Sequence, residues 1–138
     1  SSTFHGDFAT SPFNFEHFNI TNIVLRLTGQ SVPVEGGIKV DFRRGNSLQG
    51  YWSLLQGTSN LYTNDDFDID PWEDYPNGNC LFAFDLSPEM ESGRTDHFDL
   101  VRDGTIDVEV KLASPTVCSV TMIAYLEYKY IFEGDVLL

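Results

Sequence analysis

Basic residues are scarce in this sequence. Eight Lys and Arg stand against 21 Asp and Glu, giving a formal charge of -13. A surface that negative repels phosphate, which disfavours direct binding to nucleic acid or to an acidic membrane. Cysteine is scarcer still: Cys80 and Cys118 are the only two. Two are too few for a disulfide framework, and their spacing is not a zinc pattern. Each adjoins an apolar run, so both read as buried thiols, in keeping with a reducing compartment. No apolar stretch reaches the ~20 residues that span a bilayer, and no signal-peptide pattern opens the chain. His5, His17 and His97 lie in unrelated contexts, which supports neither a metal trio nor a Ser/His/Asp site, and no GxSxG is present. The glycines of "GGIKVDFRRGN" lack the spacing of a phosphate loop.

What the sequence does have is apolar and aromatic. Hydrophobic residues make up 41% and aromatics 14% of 138 residues, enough for one domain with a single core. Strand patterning dominates. In "TIDVEVKL", Ile106, Val108, Val110 and Leu112 alternate with Thr105, Asp107, Glu109 and Lys111, the period-two signature of a strand with one wet face. In "CSVTMIAYLEYKYIFE", Cys118, Val120, Met122, Ala124, Leu126, Tyr128, Tyr130 and Phe132 share one face, so Cys118–Glu133 reads as one long strand or two with a bend. The link "ASPT" predicts a hairpin between these two segments. "NITNIVLRLTG" is a further strand with Ile23, Leu25 and Leu27 inward and Gly29 closing it. "CLFAFDL" is apolar on both faces and reads as a strand covered on both sides, and "GIKVDF" as a short one.

Helical patterning is confined to the connections. In "SLQGYWSLLQG", Leu48, Tyr51, Trp52 and Leu55 fall at i, i+3, i+4 and i+7, predicting a short helix that buries this face, with Ser47 as N-cap and Gly57 as its end. "TDHFDLVRDG" predicts a turn that stops at Gly104. Strands do not alternate with helices, which argues against a parallel sheet. The expected architecture is all-β: an antiparallel two-sheet sandwich of jelly-roll type with one or two short helices in the connections. Residues 1–12 read as a linker or cut edge, and residues 13–138 as the single jelly-roll domain. The expected core comprises Phe82, Phe84, Leu86, Ile106, Val108, Val110, Met122 and Leu126.

Four features are candidates for function. The stretch "NDDFDIDPWEDYPNGN" sets Asp66, Asp68 and Asp70 at the 1, 3, 5 spacing of an EF-hand calcium loop. Pro71 then stands where that loop needs Gly, and Asn77 where it needs a bidentate Glu, so a solvated surface loop is the favoured reading. Trp72 and Tyr75 would pin this loop to the domain. Arg43 and Arg44 are expected to meet carboxylates, within the chain or on a neighbour. The lead "FHGDFATSPFNFEHF" holds Phe4, Phe8, Phe13, Phe15 and Phe18, too many for a solvated tail. It either forms a strand on the sandwich or docks against another subunit or domain. Paired carboxylates could run glycoside hydrolysis, but nothing selects a pair from 21 acids. The sequon "NIT" at Asn19 reads as chance.

Taken in order and spacing, "PFNFEHFNITNIVLRLTGQSVP", "YWSLLQGT", "YPNGNCLFAFDLSPE", "HFDLVRDGTIDVEVKLASP" and "VTMIAYLEYKYIFEGD" resemble the C-terminal part of the double-jelly-roll major capsid proteins of Polinton (Maverick) elements and adintoviruses. The similarity runs through nearly the whole chain from Phe13 onward. The resemblance implies a structural virion domain that needs neither catalysis nor a cofactor. Its implied partners are a sister jelly roll and copies of itself in a trimeric capsomer, assembled in the host nucleus or cytoplasm. A full capsid protein of this kind has another jelly roll upstream. The chain therefore reads as a C-terminal domain, a separately encoded single-jelly-roll relative or a host-captured copy. Phe13, Phe15, Phe18, Trp72, Tyr75, Arg43 and Arg44 are the interface candidates. The alternative from a different class is a lectin-like β-sandwich binding module that uses the acidic loop for calcium or carbohydrate.

Overall fold

The computed structural model describes residue 11 and residues 13–32, 35–58, 73–87 and 104–127. It is an antiparallel β-sheet with one α-helix. The chain runs through β1 (Ile20–Leu27), β2 (Gln30–Val32), β3 (Ile38–Lys39), a 3-10 turn (Phe42–Arg44), α1 (Leu48–Gly57) and β4 (Ile106–Leu112).

β1 is the centre of the sheet. Its β-branched residues suit a pleated, half-buried surface. β2 and β3 line up end to end along one side of it, and β4 covers the other side. The β1–β2 hairpin closes through Thr28 and Gly29, both with positive φ (52° and 82°), the type I′ conformation that matches strand twist. Thr28 carries this conformation despite its branched Cβ, and its N–H is held by the Thr105 carbonyl at 2.9 Å. β4 pairs with β1 from Leu27↔Ile106 to Ile20↔Leu112, with a bulge between Ile20 and Asn22, where the Thr21 hydroxyl donates to the Lys111 carbonyl.

The core lies on one face of this sheet, where Ile23, Ile38 and Val40 form a buried cluster with Ile20, Phe42, Phe82, Phe84 and Val110 packed against it. The alternation expected in β1 is exceeded: Val24 is buried along with Ile23 and Leu25. Gly37 explains this. It has φ +77°, and a Cβ there would overlap the Ile23 carbonyl oxygen and lie 2.6 Å from Val24 Cγ2. The turn before β3 thus lies directly on β1 and covers its second face.

Several expectations are corrected. α1 forms where the spacing places it, but it buries Gly50, Ser53 and Leu54, while Leu48 and Trp52 are exposed. The helix packs on its small residues because these allow the closest approach. A Cβ on Gly50 would stand 2.6 Å from the Tyr75 hydroxyl, and one on Gly57 would stand 2.6 Å from the Ala83 carbonyl carbon. Ser47 precedes the helix without a side-chain capping bond. Residues 80–86 carry no β-ladder. This segment is held instead by Cys80 N–H to the Phe15 carbonyl (3.0 Å) and by the Tyr75 hydroxyl. "GIKVDF" contributes only two strand residues.

The largest difference concerns the hairpin expected after β4. Residues 118–127 form no strand, and Met122 and Leu126, expected in the core, are exposed. Cys118 is exposed rather than buried. Ile106 and Val108 remain more than a third exposed. The non-local partner of β4 is β1, not the segment that follows it. Among the described residues there is one sheet, and no helix is long and apolar enough to cross a membrane. Residues 1–10, the turn expected over 95–104 apart from Gly104, and residues 128–133 of the expected long strand lie outside the described residues.

Candidate functional site

The structure divides the candidate residues into two sets. The first is an aromatic seam between α1 and the segments around it. Tyr75 is wholly buried. It donates its hydroxyl to the Leu81 carbonyl at 2.9 Å, meets Tyr51 edge-on at 5.6 Å and lies 6.5 Å from Phe42. Phe42 in turn stacks on His17 at 4.2 Å. The burial around Tyr75 and its nearness to Cys80 push its phenol well above the ordinary range, so it stays a neutral donor. Burial likewise pushes the Cys80 thiol up to about 12 against a hydrogen bond with Tyr75 that lowers it, and a thiol that weakly acidic is an inert core group. Burial lowers His17, opposed by the nearby Glu16 carboxylate. Its Nδ1 accepts from the Asn19 N–H at 2.9 Å, which requires the neutral ring.

Tyr75 therefore fixes the residues after the acidic stretch to the domain, and as a core residue it offers no surface to a neighbour. Phe15 and Phe18 are half-buried. Phe15 bridges to Asn79, so this part of the aromatic lead is docked onto the chain itself. Phe18 holds a positive φ of 44°, uncommon for a bulky residue. Phe13 is largely exposed. Asp66, Asp68, Asp70 and Trp72 lie outside the described residues. Among the described residues no group of three His, Cys, Asp or Glu side chains stands close enough to hold a metal ion.

The arginines behave differently from each other. Arg44 meets Asp41 at 3.6 Å, an exposed pair of small weight. Arg43 donates to the Ser114 hydroxyl at 3.2 Å and so ties the exit of β4 to the 3-10 turn. Among the described residues the shortest ion pair is one that spacing did not single out: Arg26 on β1 meets Glu109 on β4 at 2.6 Å, with Lys111 at 3.2 Å from the same carboxylate. The Arg26 and Lys111 bonds hold Glu109 below its ordinary value. Its cross-strand placement was invisible before the β1–β4 register was known.

The second set is exposed and apolar. Ile106, Val108 and Leu112 on β4, and Val120, Met122, Ile123, Tyr125 and Leu126 beyond it, are all exposed large hydrophobics. Large apolar side chains left this exposed mark an interaction site where they gather into one patch. A separate cleft of about 440 Å³ lies between α1 and the 80–86 segment, lined by Ile38, Leu48, Trp52, Gly57, Ala83 and Asp85 among others. Asp85 there is buried and accepts from the Ser87 N–H at 2.8 Å, which makes it a local turn-former.

No family model matches this chain, and no solved structure matches it. It is similar to an uncharacterized protein of Caenorhabditis elegans, at 27% identity over 139 residues that take in 98% of this chain. The chain spans about a third of that protein's length, 32%.

Proposed function

We propose that this chain is a structural assembly domain of the double-jelly-roll capsid type, and that its work is to pack against a sister domain and against copies of itself. The observation that carries the reading is the number of large hydrophobic side chains left exposed on β4 and over residues 117–127, where Met122 is 58% and Tyr125 is 88% exposed. A monomer with a finished core has no reason to leave strand-patterned hydrophobics in water, whereas a building block has. The antiparallel sheet with its connection helix is compatible with one half of a jelly-roll sandwich. The length of the worm protein beyond the matching third leaves room for a sister domain.

In this reading the mechanism is geometry. The sheet buries its own inner face through Ile23, Ile38 and Val40, and the open apolar side is completed by a neighbour. Repeated heterologous contacts close into a ring, which gives a trimeric capsomer for a two-jelly-roll protein. No reacting group is required in this reading. The test is light scattering and electron microscopy on this protein at full length. Trimers and capsid-like particles are the expected result. A protein that stays monomeric and forms no particle contradicts the reading.

A further inference from the structure

We propose that Ser114 is a phosphorylation site for a serine kinase that takes proline after its acceptor, and that Arg43 is the cation that receives the phosphate. The inference does not depend on the assembly reading.

The sequence holds three Ser-Pro pairs, at Ser11, Ser87 and Ser114, and the fold separates them. The Ser11 hydroxyl accepts from the Phe13 N–H two residues on. Ser87 is half-buried, and its N–H is held by the Asp85 carboxylate at 2.8 Å, so a phosphate there would stand beside a negative charge. Ser114 is exposed, as are residues 111–120 around it. Residues 113–127 belong to no strand or helix, so a kinase can grip this stretch without opening the sheet. Pro115 has no N–H and disfavours helical backbone at Ser114. An extended substrate groove therefore meets no donor in need of a partner directly after the acceptor.

Arg43 supplies the second observation. It lies 71 positions away in sequence, in the turn after β3, and donates from Nη2 to the Ser114 Oγ at 3.2 Å. In that bond the hydroxyl accepts, so its own proton is not committed to Arg43. The transfer is a displacement. Ser114 Oγ attacks the γ-phosphorus of ATP, the bond to the β,γ-bridging oxygen breaks and ADP leaves, while the hydroxyl proton passes to a carboxylate of the kinase. The product carries a charge of about -1.5 to -2 and three acceptor oxygens, where a guanidinium already stands. A neutral acceptor is replaced by an ionised one, and the hydrogen bond becomes roughly twice as strong. Arg44 follows in the same turn, paired with Asp41. The chain's excess of negative charge opposes this only weakly, because exposed acids more than about 8 Å away are screened at physiological salt. Phosphorylation would fasten the exit of β4 to the 3-10 turn and so fix the root of the exposed residues 117–127.

The test is treatment of the full-length protein with ATP and a purified proline-directed serine/threonine kinase of the mitogen-activated class, with the site read by mass spectrometry. A peptide of residues 108–121 is the substrate standard. Expected are phosphate on Ser114 at a rate within tenfold of the peptide, and at least a tenfold loss of rate in Pro115→Ala. Phosphorus NMR then tests Arg43. The phosphoserine should titrate about half a pH unit lower in the native protein than in Arg43→Gln, because a nearby cation favours the dianion. Arg43 and Ser114 are both exposed, so these substitutions spare the core. A modified peptide beside an unmodified protein overturns the inference, since the folded chain then withholds Ser114. A peptide that is itself refused overturns the Ser-Pro recognition. A phosphoserine whose titration is the same in Arg43→Gln overturns the role of Arg43. None of these outcomes bears on particle formation, which tests the assembly reading separately.

Discussion

The two sides of this sheet are finished to different degrees. On the α1 side, small residues on the helix let Tyr75 and Ala83 approach to contact distance, and Tyr75 has both its ring and its hydroxyl satisfied. On the β4 side the backbone is in register with β1, but side chains of the same apolar character stand in water. Hydrophobicity does not separate the two regions, since both are rich in it. Closure does: α1 is covered by Tyr75 and Ala83, whereas the β4 side chains are left more than a third exposed.

The comparison can be broken by substitution. The largest effect is expected from Tyr75→Ala, which empties a fully buried aromatic site and should cost about 3–5 kcal/mol in a denaturant melt. Tyr75→Phe removes the hydroxyl's bonds to the Leu81 carbonyl and to Cys80 and should cost about 1 kcal/mol. If the alanine variant is neutral, the α1 side is not the finished one. Next come Gly50→Ala and Gly57→Ala. In a free helix each would gain up to ~1 kcal/mol. Here each should lose about 1–3 kcal/mol by overpacking, with Gly57 the more damaging, because it meets backbone rather than the end of a side chain. A stabilised Gly50→Ala variant would show that the close approach is loose.

On the open side, Met122→Glu should change the stability of the monomer by less than about 0.5 kcal/mol while weakening association, the opposite pairing of effects from Tyr75→Ala. Smaller again is the pH response. His17 is lowered by burial, so the folded state disfavours its proton. Stability should fall as pH drops below the ordinary value of 6.5 and continue falling until the folded ring is also protonated. His17→Asn should flatten a thermal melt over that window. Glu109, lowered by Arg26 and Lys111, acts further down. Its contribution is complete above the ordinary 4.5 and is lost as pH falls through its lower folded value, and Glu109→Gln should remove that slope. The smallest effect is expected from calcium: a melt with and without the ion should coincide, whereas a calcium-binding module gains stability by mass action.

Local periodicity reported β1, β4 and α1 with close boundaries, because alternation and i, i+3, i+4 spacing are written residue by residue. It misjudged what those elements touch. The inward face of α1 looked like Leu48, Tyr51, Trp52 and Leu55, since large apolar residues usually go inside. The structure puts Gly50 and Gly57 there, because a helix needs small residues where another segment crosses at contact distance. Gly50, a costly residue in a free helix, is here a packing position. Residues 80–86 were apolar enough for a covered strand, but apolarity reports burial and not ladder pairing. For the candidate site, the sequence marked Tyr75 and Arg43 as residues of interest, and only the fold shows that one is core and the other a tie to Ser114.

By itself, then, the sequence determined the local conformations of β1, β4 and α1, the excess of negative charge and the abundance of strand-patterned hydrophobic residues. These follow from composition and from short-range order. The tertiary structure decided which strand β4 pairs with, which side of α1 is buried and which apolar run stays open. Those outcomes depend on contacts between residues as far apart as Thr21 and Lys111, 90 positions in sequence. No local pattern encodes a competition between distant partners. It is settled by which of them can reach the edge with its backbone bonds and its side chains satisfied together.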